Sequence, residues 1–306
     1  MKTLLAITSA LVIQLHAVGQ ANQRFTSLEE ALKAPEKVKW LDLDCSDIPQ
    51  SSDQFAKLPI LESLYLTSCE LTELPDGLGQ LKELGLLNVQ DNQLKSVPSE
   101  LEQLQKLTVI NLRNNDFEAF PKVLTSLPLL RELDLSGNTL LNLDNTLTVL
   151  STIRKLDFLY LSDLGLTIMP SSVSNLNALE ELHLTGNPDL DLVSTFSSLA
   201  KCTSLKILVL SSNQIQKIPS ELTLLNQVNG LVLDNNPSIE LTSLTDQLNQ
   251  LPALKVLLLR KSGLSQLPES LDGFSNLAVL ELSGNDFSEQ EQLRIKSLLP
   301  NTNVVF

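Results

Sequence analysis

Catalysis needs nucleophiles, bases or metal ligands at usable spacings, and this sequence offers few. Its two histidines are His16, in an apolar N-terminal stretch, and His183, so a histidine relay beyond that stretch has one candidate. His183 lies between Leu182 and Leu184, in an alternation that turns it to the open side of a strand. No phosphate-cradling G-x-x-x-x-G-K loop, G-x-S-x-G elbow, H-E-x-x-H pair or C-x-x-C occurs. Cys45, Cys69 and Cys202 are too few and too scattered for a disulfide framework or a tetrahedral metal site. Asp189 and Asp191 mark an acidic turn whose expected state is solvated rather than calcium-bound. The reading is therefore of a non-enzyme with no cofactor and no metal. A hydrolase acting on glycan or peptide is its least supported alternative.

Recognition is the chemistry that remains. Apolar and aromatic side chains recur on the open side of alternating segments in the C-terminal half. Phe158, Tyr160 and His183 form an aromatic group, followed by Ile207, Val209, Val232, Val256 and Leu258, with Arg260 and Lys261 at the rim. Such a set resembles the centre of a protein interface, although β-branched residues also simply suit strands. The corresponding positions in the N-terminal half read mostly polar. A protein or peptide partner on the C-terminal half is thus expected. The alternative is a structural spacer, or an adhesion or self-associating element of a cell envelope, against the expectation of a monomer.

Charge narrows the partner. Of 306 residues, 36 are acidic and 22 basic, for a formal net charge of −14, which disfavours nucleic acid and anionic lipid. The start, Met1-Lys2-Thr3-Leu4-Leu5, followed by an apolar run and the small residues Ala17 and Gly19, reads as an export signal at residues 1–19. No later run is long and apolar enough to span a membrane. With no Asn-x-Ser/Thr acceptor site, the expectation is an exported bacterial protein, extracellular or periplasmic.

The elements that must carry these residues follow from internal repetition. The spacing L-x-x-L-x-L-x-x-N-x-L begins at Val38, Leu61, Leu84, Leu107, Leu130, Leu156, Leu179, Leu205, Val228, Leu254 and Leu277, eleven times in register. The x-L-x-L-x core alternates and predicts a short strand with its leucines on one face. Seven copies keep the ninth-position Asn: Asn92, Asn115, Asn138, Asn187, Asn213, Asn236 and Asn285. Its amide is suited to bonding the backbones of adjacent coils. Ser46, Cys69 and Ser262 are plausible small substitutes, whereas Leu164 leaves a gap. Cys45 stands one residue before that position on the coil next to Cys69. The two come within reach, yet their side chains are expected to point differently, and a bond between them stays open.

Behind the strand, Pro75, Pro98, Pro121, Pro170, Pro219 and Pro268 share one offset, suiting a short 3-10 or α turn. From Leu130 onward the copy lengths alternate between 26 and 23 residues, and the long copies lack the Leu-Pro turn and predict fuller helices. A lone coil cannot bury both flanks, so the copies must stack and their ends be covered. The expected organisation is a cap at 20–37 with a helix over Ser27–Ala34, repeats over 38–299 including a C-terminal helix from Gln290, and a capping strand in 300–306.

The motif, its Asn and the Leu-Pro half identify the chain as resembling the leucine-rich repeat family, and the 23-residue copies look most like its Ras-group class. The resemblance implies an α/β solenoid: a right-handed horseshoe with a parallel sheet on its concave wall and short 3-10 or α turns on the convex side. It also implies use as a protein-binding scaffold, and no reaction.

Overall fold

The computed structural model describes residues 24–49, 53–242 and 244–306. The expected export signal at 1–19 and the first residues of the expected cap lie outside them. The chain divides into two compact units, 1–160 and 161–306.

In the first unit, β1 (Arg24–Phe25), β2 (Trp40–Asp42), β3 (Ser63–Tyr65), β4 (Leu86–Asn88), β5 (Val109–Asn111), β6 (Glu132–Asp134) and β7 (Phe158–Tyr160) pair in sequence order. Every pairing is parallel and in register, so Leu41, Leu64, Leu87, Ile110, Leu133 and Leu159 form one buried row. The third leucine of each motif (Leu43, Leu66, Leu112, Leu135) closes the same core. Across the core run 3-10 turns, such as Ser99–Gln103 and Lys122–Ser126, each entered from a proline whose missing N–H costs nothing there. The first long copy instead carries α2 (Leu143–Leu150), capped by Asn142, whose side chain accepts the Asn145 N–H at 3.1 Å. A short α1 (Leu28–Ala31) lies within the expected cap.

The second unit repeats the plan with β8 (Glu181–His183), β9 (Ile207–Val209), β10 (Gly230–Val232), β11 (Val256–Leu258), β12 (Val279–Glu281) and β13 (Asn303–Val305). Its long copies carry α3 (Leu192–Leu199) and α4 (Leu244–Leu248), while a short copy between them keeps a 3-10 turn, Ser220–Leu224. The end is covered by α5 (Glu289–Leu298) and by β13, whose neighbour Phe306 meets Phe287 edge-on at 5.6 Å between ring centres. The three extra residues of a long copy fall on the turn side. Strand register is therefore untouched by copy length.

One backbone feature recurs at the eighth motif position. From the copy at Leu61 onward that residue is left-handed, including Ser68, Asp91, Asn114, Asp163, Ser212, Asn235 and Lys261 at φ between +51° and +58° or, for Asn114, +50°. Gly137, Gly186 and Gly284 fill the same place in other copies. At Gly137 a Cβ would stand 1.9 Å from Asn114 Oδ1, so a larger residue there would have to displace the Asn114 side chain as well as adopt a left-handed backbone. The left-handed residue turns the chain sharply and delivers the ninth side chain to the interior.

Candidate functional site

The interior asparagines form two hydrogen-bonded ladders, one in each unit. Asn115 Nδ2 donates to Val89 O of the preceding coil and to Leu112 O of its own, both at 3.0 Å, while its Oδ1 accepts from Leu94 N at 3.0 Å. Asn92 and Asn138 repeat this arrangement. In the second unit Asn187 Oδ1 accepts from Leu164 N and Leu166 N, and Asn236 Oδ1 from Asn213 N and Ile215 N. Asn213 donates to Leu184 O at 3.0 Å, and Asn285 to Leu259 O and Leu282 O. These residues are buried, Asn285 only partly. Their work is structural: they satisfy backbone groups that burial would strand.

The three small substitutes behave differently. Ser262 takes the asparagine's part, accepting the Asn236 N–H at 3.2 Å and donating to Arg260 O. Ser46 does not, because it lies exposed in a 3-10 turn, Cys45–Asp47. Cys69 is bonded to Cys45, with the Cα atoms 5.2 Å apart. This corrects the expectation that the two side chains diverge. Cys45 holds the eighth motif position, but the first coil enters a 3-10 turn there instead of the left-handed turn of later coils, and the side chain is re-aimed toward its neighbour. Cys202 is buried as a thiol, its pKa pushed up to about 11 by burial.

The residues singled out for recognition fall in both units. Phe158 and Tyr160 are the ends of β7 and belong to the first unit. The second unit holds His183, Ile207, Val209, Val232, Val256, Leu258 and Arg260. Register places Ile207 beside Gly230 and Gly230 beside Val256, and sets Val209, Val232 and Leu258 in one row. His183 flanks Val209, with its Nε2 2.6 Å from Glu181 Oε1 on the same strand.

The apolar patch is contiguous but shows little area: its five residues are 3–7% exposed. Strands about 4.8 Å apart in strict register press each side chain between two others, so only the tips face solvent. The basic rim is also not an unmatched charge. Arg260 Nε and Nη2 both bond Asp234 Oδ2, at 2.8 and 2.6 Å, and Arg260 N bonds Asp234 Oδ1 at 2.7 Å. The hydrogen bond to Asp234 raises the Arg260 pKa further and fixes the guanidinium against the sheet.

Reading the wall by columns missed a cluster in the first unit. Trp40, Tyr65, Leu86 and Val109 pack together on the open face of β2 to β5, each below a tenth exposed. Trp40 is a third-position residue and Tyr65 a fifth-position residue of the next coil, so the contact is diagonal, with ring centres 5.6 Å apart. Large side chains bridge such diagonals, and that was the available signal. The Arg24 guanidinium lies over the Trp40 ring at 5.8 Å and pairs with Asp42. Burial, then the charge of Asp42, push the Tyr65 hydroxyl pKa up to about 12, so it stays protonated. Asp42 itself is raised, chiefly by desolvation, with Arg24 opposing.

Elsewhere, Asp191 is solvent-exposed and serves as the N-cap of α3, accepting from Val193 N and Ser194 N at 3.1 and 3.2 Å. Its bonds to Ser194 hold its pKa below the usual carboxylate range. Among the described residues no group of three or more His, Cys, Asp or Glu is placed to hold a metal. No described helix is long and apolar enough to cross a membrane.

Comparison with known proteins agrees with the geometry. Leucine rich repeat family models match residues 61–81, 82–140 and 201–217. The chain carries leucine-rich repeats. No curated protein matches it. Among solved structures, the TLR13–ssRNA13 complex is similar at 22% identity over 91% of this chain and 41% of that one, with a TM-score of 0.62. An internalin of Listeria monocytogenes, inlF, is similar at 23% identity over 84% and 82%, TM-score 0.50. A leucine-rich repeat protein of Leptospira interrogans matches at 22% identity over 92% and 99%, TM-score 0.36. At these identities the likeness is one of fold: a repeat solenoid with a parallel sheet backed by short helical and 3-10 turns. Proteins built of such repeats generally bind other proteins.

Proposed function

We propose that this repeat protein is a non-catalytic, exported binding scaffold, and that a protein or peptide partner docks on the open sheet face of the second unit. The observation that carries this reading is the uninterrupted aliphatic row Val209–Val232–Leu258 beside Ile207 and Val256. Gly230 lies between the latter two on the middle strand. Arg260, held by Asp234, offers a fixed edge, and His183 with Glu181 a polar one. Tips alone are exposed, so the face suits a partner that brings its own protruding apolar groups. Phe158 and Tyr160, on β7 of the first unit, are separate candidates for partner contact. Export is supported by the Lys2-led apolar start and by the Cys45–Cys69 bond, since such bonds persist in oxidising compartments.

Capture from native envelope and medium fractions tests the reading. Val232→Asp should abolish capture of a specific partner while the far-ultraviolet circular dichroism stays unchanged, and the milder Val256→Thr should weaken it. Retained capture by both folded variants removes the second-unit face as the site. Light scattering decides the structural alternative: a monomer leaves no room for self-association through this face.

A further inference from the structure

A second surface lies in the first unit, and its chemistry differs from that of the face just described. Its centre is the Trp40–Tyr65–Leu86–Val109 cluster. Two polar atoms inside it, Trp40 Nε1 and Tyr65 Oη, have no hydrogen-bond partner although both side chains are more than nine-tenths buried. An unmet buried donor is costly, typically about 1–3 kcal/mol, and a donor-only indole N–H can be satisfied solely by an acceptor. One edge of the cluster is acidic. Asp42 and Asp44 stand at the β2 end beside one guanidinium, Arg24, whereas Glu132 and Asp134 on β6 are buried.

We propose that this face binds an extended peptide segment in which apolar residues adjoin a Lys or Arg. Carbonyl oxygens of the segment would accept from Trp40 Nε1 and Tyr65 Oη, and its cation would meet Asp42 and Asp44 at the β2 end. From β2 to β6 is four strand spacings, roughly 19 Å, which about six extended residues cover. Arg24 is the movable part. About half exposed, it occupies the place over Trp40 and beside Asp42 that an incoming cation would take. It therefore competes with the ligand from within the chain.

The only tryptophan of the sequence is Trp40, so its emission reports from the centre of this surface and nowhere else. The capped hexapeptide Lys-Val-Leu-Val-Leu-Lys is titrated against the full chain, with Glu-Val-Leu-Val-Leu-Glu as the control. A saturable change in Trp40 emission with the basic peptide, weakened at least fivefold by raising salt to 0.5 M and absent with the acidic one, is expected. Exposed Asp44→Lys should weaken it about tenfold, and Arg24→Ala should tighten it severalfold, both with unchanged circular dichroism. No saturable response, an equal response to the acidic peptide, or indifference to both substitutions overturns the proposal. Val232→Asp in the second unit should leave the titration as it is, so the outcome here is read separately from that of the second-unit face.

Discussion

The two units share one motif but close their free ends by different means. The first is stapled by a covalent bond between its first two full coils, and its outermost strand is held by Arg24–Asp42. The second ends on a ten-residue helix, α5, and a last strand, tied back by Arg294, whose Nη2 bonds Leu267 O and Glu291 Oε1 at 3.0 and 2.7 Å. Their faces differ too: aromatic with one acidic edge in the first, aliphatic in the second. A repeat thus fixes how coils stack, while the x positions and the ends are left to diverge.

Removing the shared device should strike both units most heavily. Asn115→Ala leaves Val89 O, Leu112 O and Leu94 N without their buried partner, for a loss of about 3–5 kcal/mol in urea unfolding. Asn236→Ala should cost as much in the second unit. Unequal losses, mapped by hydrogen exchange, would show that one unit leans less on its ladder. Next, reducing Cys45–Cys69, or replacing both by Ser, should destabilise the first unit by about 3 kcal/mol and leave exchange in α5 unchanged. Uniform loosening would erase the asymmetry of the ends.

Acid should act in the opposite sense. The bond to Arg294 holds the Glu291 pKa below its ordinary 4.5. A lowered folded pKa means a stabilisation present above about pH 4.5 and lost as the pH falls through the folded value. Asp42 is raised above 3.8, so its contribution is greatest at low pH and fades as the pH rises through its folded value. Lowering the pH from 6 to 3 should therefore reduce protection, measured against the intrinsic exchange rate at each pH, in 289–305 before 24–42; the reverse order would contradict the assignment. The smallest effect expected is Asn142→Ala, about 1 kcal/mol from loss of the α2 cap, read as faster exchange confined to 143–150.

Much of this was legible in the residues. The period placed β2 to β12, because a leucine at each alternate position has one face to hide on, and Asn at the ninth position announced the ladder; β1, in the stretch read as a helical cap, was not foreseen. The absent Leu-Pro turn in long copies announced α2, α3 and α4. Three further things were not legible. Exposure on the open face depends on how tightly register packs neighbours, which a list of positions does not contain. The Cys45 direction depends on a turn the first coil takes differently from the rest. The Trp40–Tyr65 contact crosses columns, and a column-by-column reading passes over diagonals.

The ladder and the sheet together tie each coil to both its neighbours under load. An asparagine Oδ1 completes the turn of the coil before it, as Asn115 does for Leu94 N and Asn236 for Ile215 N. Stripping a coil from the C-terminal side removes acceptors its predecessor needs, and stripping one from the N-terminal side removes backbone acceptors its successor needs, as Glu62 O serves Gly85 N and Leu86 N. Pulled from its two ends, a unit should then yield coil by coil. Each 23-residue copy should release roughly 80 Å of contour, a ratchet of near-equal steps in which the long copies stand out by their extra length.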